Sequence, residues 1–355
     1  MSDTRKTTKP NVPNLRFPGF EGEWELKRID EISPLQRGFD LPSQSLQVGS
    51  VPVVYSNGIM NYHNESKCVA PGIVTGRSGT IGRLTYIESG PYWPHNTSLW
   101  VTDFKGNIPL FVYYLLEHID LSRFSSGSGV PTLNRNDVHA FKTGIPSVEE
   151  QHKIADCLSI IDKRISIQNK VIEKYESLIK ALAHKIIGKN APNTMLSECV
   201  CCASSTLKES DLSDAGAVPA YGAAGISGFI DSTLSDGDSI LITKDGSGVG
   251  SLRYVVGLHS FVGTLNSMTP KEGVYLPYIY YALQNVCFEC YRTGQAIPHI
   301  YFKDYGKEAL YCPSFDDQKR LAKGLEMIDA KIGNERTALQ NLQLVKAYLL
   351  SAMFI

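Results

Sequence analysis

The sequence predicts an α+β chain built twice on one plan, a small globular domain of short strands and helices followed by a long amphipathic helix. Two observations carry this. Residues Ile145 to Ala155 (Ile-Pro-Ser-Val-Glu-Glu-Gln-His-Lys-Ile-Ala) recur 167 positions later, at Cys312 to Ala322, as Cys-Pro-Ser-Phe-Asp-Asp-Gln-Lys-Arg-Leu-Ala. At the same spacing Val51-Pro52 maps to Val218-Pro219, Gly58 to Gly225, Tyr113-Tyr114 to Tyr280-Tyr281, Gly127 to Gly294, Pro131 to Pro298, Asp137 to Asp304 and Asp162 to Asp329. Solenoid repeats are about 20–50 residues long, so this period is a duplicated domain with its tail. The second observation is a pair of matched heptad seams, which predicts two long antiparallel coiled-coil helices between the globular domains.

Each globular part is rich in Gly, Ser, Tyr and short β-branched runs. Val51–Tyr55, Gly72–Thr75, Ser239–Thr243 and Leu252–Val256 read as short strands bounded by turn residues. Ile108–Ile119 and Leu276–Cys290 carry the three-and-four spacing of helices. The expected boundaries are a first globular domain at 1–146, a helical region at 147–190, a second globular domain at 191–312 and a second helical region at 313–355.

In the first helical region Ile154, Leu158, Ile161, Ile165, Gln168, Ile172, Tyr175, Ile179, Leu182 and Ile186 alternate in steps of four and three. Leu321, Leu325, Ile328, Ile332, Glu335, Leu339, Leu342, Lys346 and Leu349 do the same in the second. The polar break falls at one place in both, Gln168 and Glu335. Each helix follows a proline and a Ser-x-x-Glu/Asp start, Ser147 with Glu150 and Ser314 with Asp317, close to a capping box. A helix of about 40 residues spans ~60 Å, more than a small domain needs for its own core. Mutual packing of the two is therefore expected over packing of each on its own domain.

No run of about 18 apolar residues exists, so no membrane span is expected, and residues 1–13 lack the apolar stretch of an export signal. A cytoplasmic location and free thiols at the eight cysteines are the expectation. A four-thiolate zinc site from Cys199, Cys201, Cys202, Cys287 and Cys290 is the minor alternative. Net charge is −1 overall and −5 over residues 191–312, which argues against a strong stand-alone nucleic-acid binder. Gly246-Ser-Gly-Val-Gly250 lacks the Lys-Ser/Thr of a phosphate loop. Ser205-x-x-Lys208 and Lys142-Thr-Gly144 occur in the wrong order for acyl-enzyme chemistry. His95, His139, His259 and His299 have no companions at metal spacing. No catalytic residue and no metal ligand is assigned.

The repeat plan and the pattern Pro-x-x-x-Glu/Asp-Gln-x-x-Ile/Leu-Ala-x-x-Leu-x-x-x-Asp-x-x-Ile resemble the specificity subunit of type I restriction–modification enzymes. The pattern runs from Pro146 to Ile165, and a second copy, with Gly324 where the first has Cys157, from Pro313 to Ile332. The opening Leu15-Arg-Phe-Pro-Gly-Phe-Glu-Gly-Glu-Trp24 also resembles the start of many members. The resemblance implies two target-recognition domains in pseudo-twofold repeat, each reading one half of a bipartite target in double-stranded DNA. It implies that the helices set the unread spacer and dock two methyltransferase subunits, which bind S-adenosylmethionine. Restriction/motor subunits using ATP and Mg would complete the complex, and this chain itself would carry no cofactor and catalyse nothing. The second helical region is shorter than the first with its linker, which predicts a chain shortened relative to other members. Rival readings are a stand-alone two-headed DNA-binding regulator or decoy, and a two-domain protein-interaction scaffold.

Base readout needs directed donors and acceptors on loops or ribbons, and phosphate contact needs cations, hydroxyls or amides. In the first domain the candidates are Arg77, Ser78, Thr80 and Arg83 on the Gly-rich turn, then His95, Asn96 and Thr97, then Asn134 and Arg135. In the second they are Lys244, Asp245, Ser247 and Arg253, then Thr264 and Asn266, then Arg292, Gln295 and His299. Arg77 is expected opposite Asp245, and Asn134 opposite Tyr301, so that one frame would present different chemistry to each half-site.

Overall fold

The computed structural model describes residues 11–127, 131–295 and 297–355. These form two compact units, one ending at Ile167 and completed by Leu339–Ile355, the other spanning Gln168–Ala338. The architecture is α+β, as the sequence predicts, and each unit contains part of both long helices.

In the first unit an antiparallel sheet orders Leu35–Arg37, Ser98–Val101, Gly72–Gly76 and Leu84–Ile87. A second sheet orders Gly58–His63, Val51–Tyr55, Pro91–Pro94 and Cys68–Val69, with Val51–Tyr55 and Pro91–Pro94 parallel. The helix Pro109–Ile119 starts with proline in its first turn, where the missing N–H costs nothing. It buries Phe111, Val112, Leu115 and Leu116 in the core. Asp120 ends it in a left-handed conformation, its carboxylate accepting from the Ser122 amide at 3.1 Å. The end of the second long helix completes this core. Phe354 stacks on Phe111 at 5.4 Å and meets Trp24 edge-on at 6.4 Å, and the Leu15 amide donates to the Ala352 carbonyl at 2.8 Å.

The second unit repeats the plan, with no strand among the described residues of its second sheet as a counterpart to the short strand Cys68–Val69. One sheet orders Val200–Ser204, Leu265–Pro270, Ser239–Thr243 and Leu252–Val255; the other orders Gly225–Ile230, Val218–Gly222 and Ser260–Phe261. The expected helix Leu276–Cys290 is shorter: it stops at Leu283, and a 3-10 turn follows at Phe288–Tyr291. The Asn285 side-chain amide donates to the carbonyls of Tyr281 and Ala282, a local bond that competes with helix continuation.

The long helices run Val148–Ala183 and Phe315–Met353. Ile154, Leu158, Ile172, Leu325 and Ile332 are buried; Ile161, Ile165, Gln168, Leu321, Ile328, Glu335 and Leu339 are half-buried. In the second unit the two helices pack antiparallel, with Ile179 and Ile332 buried on facing sides of one cleft and Arg336 paired to Glu176. The two polar breaks in the seams answer each other: the Gln168 amide donates to the Glu335 backbone carbonyl at 3.0 Å and to its carboxylate. In the first unit the seam residue Lys346 lies 2.8 Å from both Glu117 and Asp162. One seam position shifts. A π-turn at His184–Gly188 inserts an extra residue, so Ile187 is buried where the heptad count places Ile186.

Two side-chain clamps fix each globular domain to its helix. In the first unit Gln151 accepts from the Ile108 amide at 2.9 Å and donates to the Pro146 carbonyl at 3.1 Å. Three turns on, Tyr114 donates to Asp162 at 2.8 Å. In the second unit Gln318 accepts from the Tyr275 amide and donates to the Pro313 carbonyl, both at 2.8 Å, and Tyr281 donates to Asp329 at 3.1 Å. Ser147 and Ser314 cap the helices by accepting from the amides of Glu150 and Asp317. The reciprocal half of the first capping box is absent, because the buried Glu150 carboxylate is taken by Arg16 through two bonds of 2.8 Å.

Gln151→Leu strands the Ile108 N–H inside the protein, and Gln318→Leu does the same to Tyr275. Each is expected to cost about 1–3 kcal/mol, read as a lowered melting temperature, with the loss confined to the unit that carries the change. A second expectation concerns acid. Burial pushes His95, His118 and His139, all in the first unit, below the ordinary histidine range. The folded unit therefore holds fewer protons than the unfolded chain below about pH 6.5, so their stabilising share is full above that pH and declines as pH falls. Melting temperature against pH should fall below about 6.5, and less steeply in His118→Phe; identical slopes would contradict this.

Candidate nucleic-acid interface

In the first unit four loops meet at one end of the sheets and hold one another by backbone bonds. The Arg77 and Ser78 amides both donate to the Thr97 carbonyl, the Gly79 amide to Pro131 and the Leu133 amide to Arg77. The Ser56 amide of the Val51–His63 hairpin donates to Thr97 Oγ1 at 3.3 Å. His95 Nδ1 lies 3.0 Å from the same hydroxyl, and its ring packs on Tyr55 at 4.2 Å between centroids. Thr97 and His95 thus act as the internal brace of this loop cluster. Asn96 is tied to Asp40, which also pairs with Arg37 at 3.3 Å. Thr80 and Arg83 are exposed on the Gly-rich turn, and Arg77 and Ser78 are half-buried at its start.

A cleft of about 440 Å³ opens between these loops, lined by Arg37, Arg77, Asn134, Arg135 and Asn136 among others. Asn134 caps a short helix, its side chain accepting from the Asn136 amide at 3.1 Å. The cleft brings together three candidates, Arg77, Asn134 and Arg135, and adds Arg37, which the sequence reading missed. Arg37 is a single charged residue at a strand end and has no signal of its own in the sequence.

The second unit reproduces the same frame. The Lys244 and Asp245 amides donate to the Thr264 carbonyl, the Gly246 amide to Pro298 and the Ile300 amide to Lys244. Every one of these bonds lies 167 residues after its counterpart. The frame corrects one expectation. Arg77 stands opposite Lys244, and Ser78 opposite Asp245, so both units place a cation at the head of this loop. The second loop is then one residue longer: the Gly250 amide bonds back to Thr243, whereas Gly82 bonds back to Gly76. Ser247, Thr264, Arg292 and Gln295 are exposed, Arg292 being paired with Glu289 at 3.2 Å. His299 is half-buried with its ring edge-on to Tyr301. That tyrosine replaces the Asn134 cap.

Asn266 is withdrawn from the set of exposed readers. It occupies the buried sheet position of Leu99, donates to Tyr305 at 3.0 Å and accepts from Ser204 at 2.8 Å. A polar residue in a loop-like sequence context reads as exposed; here the register places it inside. Among the described residues no carboxylate lies within salt-bridge range of Arg77, Arg83, Lys244 or Arg253. These four cations are thus uncommitted within each unit. The cysteines are dispersed: Cys199 is hydrogen-bonded to Cys312, Cys287 faces Cys290 at 3.0 Å, and no metal-holding cluster occurs among the described residues. Among the described residues no helix is long and apolar enough to cross a membrane.

With this geometry in place, comparison with known proteins shows what the chain resembles. Residues 21–177 match the type I restriction modification DNA specificity domain. Residues 21–177 are thus similar to that domain, and the chain as a whole resembles type I specificity subunits. A protein of Mycoplasma genitalium named as a type I specificity subunit is 25% identical, across 93% of this chain and 94% of its own length. A Mycoplasma pneumoniae protein so named is 24% identical, across 97% of this chain and 99% of its own. The crystal structure of a type I restriction–modification S subunit from M. genitalium shares the fold at a TM-score of 0.67 and 20% identity, covering 97% of this chain and 99% of that one. This chain and these relatives match nearly end to end, so the expectation of a chain shortened relative to other members does not hold for them.

Proposed function

We propose that this chain is a specificity subunit, the non-catalytic DNA reader of a type I methyltransferase complex. Each globular domain reads one half of a bipartite target in double-stranded DNA, and the paired helices set the spacer and dock two methyltransferase subunits. The observation that carries the reading is the duplicated loop frame. The same four-loop scaffold is built twice from the same backbone bonds, while the side chains on it differ: Ser78 against Asp245, Asn134 against Tyr301. One scaffold with two chemistries suits two half-sites of different sequence. Arg77 and Lys244, at the head of equivalent loops, serve as phosphate contacts, and the variable neighbours serve as base contacts. S-adenosylmethionine belongs to the methyltransferase partners, and ATP and Mg to the restriction/motor partners. With a charge of −5 over residues 191–312, the chain relies on those partners for part of its electrostatic hold on DNA.

The direct test compares the methylated genome of a host carrying this gene and its cognate methyltransferase with one lacking only this gene. Loss of N6-methyladenine at a single bipartite motif is expected; an unchanged set of motifs would contradict the reading. Arg77→Ala and Lys244→Ala are expected to weaken DNA binding by the assembled complex about equally on all sequences. Each should reduce the slope of log affinity against log salt by about 1. A change in the recognised motif with an unchanged salt slope would instead make these residues base readers.

A further inference from the structure

Both globular domains expose an isoleucine beside the turn of an edge hairpin, at the rim of their basic loops. We propose that Ile59 and Ile226 are base-reading residues, each packing on the 5-methyl group of a thymine in the half-site of its own domain. The proposal rests on the reading of the chain as a DNA specificity subunit and adds two specificity determinants to it.

The strand Gly58–His63 lies at the edge of its sheet. A half-buried strand alternates inward and outward side chains, yet here residues 59 to 62 are all exposed. Ile59 is 43% exposed, Met60 58% and Tyr62 55%. In the second unit Gly225–Ile230 is likewise the last strand of its sheet, bridged on its outer side only at Phe229 by Ser213, and Ile226 is 56% exposed. The cause is the same irregularity in both. Val53 pairs with Asn61 and Val54 with Ile59, which leaves Met60 as an extra residue; Ala220 pairs with Gly228 and Tyr221 with Ile226, which leaves Ser227 extra. Such a bulge re-aims the neighbouring side chain and sharpens the twist.

Each isoleucine follows a two-residue turn closed by a glycine at positive φ, +106° at Gly58 and +136° at Gly225. A guanidinium lies against each of these glycines. A Cβ on Gly58 would sit 3.6 Å from Arg83, and one on Gly225 3.7 Å from Arg253. The two arginines are not equivalent in sequence, Arg83 standing just before the strand that follows the Gly-rich loop and Arg253 within its counterpart, and still reach the same place. The hairpin turn of the first unit is further tied to the loop frame through Ser56 and Thr97.

An exposed apolar side chain on an edge hairpin invites aggregation, so its presence at the same position in both domains needs a use. Its neighbours have diverged, Met60 to Ser227 and Asn61 to Gly228, while isoleucine stays at the bulge beside an uncommitted arginine. The cation beside each tip suits a polyanion, and the apolar feature that a DNA major groove offers is the thymine methyl. A β-branched side chain has few rotamers to lose when it is placed there.

The test uses the assembled complex with cognate methyltransferase on duplexes carrying the motif found by methylation mapping. Ile59→Ala should weaken binding roughly 5- to 10-fold, and replacing one thymine of the first half-site by deoxyuridine should weaken the wild type by the same factor. The two changes together should cost no more than either alone, because both delete one contact. Ile226→Ala should behave the same way in the other half-site only. Melting curves report whether the variants remain folded, as exposed positions should. Wild-type affinity in both Ala variants, additive losses, or an equal loss on unrelated duplexes would overturn the proposal; the last would assign the hairpin to backbone or protein contact. A wild-type complex with no sequence preference would instead sink the parent reading, a result the mapping shows before any variant is made.

Discussion

The two glutamine clamps, Gln151 and Gln318, are the constraint on which the rest of the structure depends. Each side chain accepts from the amide at the start of a globular-domain helix and donates to the carbonyl of the proline that opens a long helix. Both glutamines are 1% exposed, so neither bond exchanges easily with water, and loss of either partner would leave a buried polar group unmatched. About 16 Å along each helix the Tyr114–Asp162 and Tyr281–Asp329 bonds make a second attachment. Two attachments on one rigid rod remove the freedom to pivot. A reader that must place its loops on a target at fixed register needs that rigidity more than it needs affinity from any single contact.

Duplication of the clamp comes with duplication of the loop frame, and what differs between copies is informative. Backbone bonds among the four loops repeat at one offset, because they depend on chain path and glycine placement rather than on side-chain identity. Side chains standing on the frame are free to change. At the head of the Gly-rich loop both copies keep a cation, Arg77 and Lys244, whose contact would be blind to sequence. One position on, serine faces aspartate, a change from a group that can donate to one that only accepts.

The strands, the long helices, their caps and the matched polar break were legible because each is written as a local pattern. Gln168 and Glu335 fall at one place in both seams, and the structure joins them. The features that escaped depend on register or competition. Helix Leu276–Leu283 ends early because Asn285 bonds back to its carbonyls, a contest between side chain and backbone that apolar spacing does not report. Ile187 replaces Ile186 because a π-turn breaks the heptad count. Asn266 looked like a loop donor and is a buried sheet residue, since only the pairing of strands puts it in the position of Leu99. Arg77 falls opposite Lys244 at the same 167-residue offset as the rest of the frame, and the backbone bonds fix that pairing; the one-residue extension of the second Gly-rich loop comes only after Gly246, where no side-chain pattern marks it. Arg37 joins the cleft from a distant strand, a juxtaposition of the fold alone.

The claim at the centre of this account is that the two repeats are interchangeable frames carrying separate readings. Domain exchange tests it most directly. In a chain whose residues 35–140 are replaced by residues 202–307, assembled with the cognate methyltransferase, the methylated motif should consist of the second half-site twice, at an unchanged spacer. A stably folded, methylation-competent exchange chain that still marks the original bipartite motif, or one that marks a sequence containing neither half-site, would contradict it.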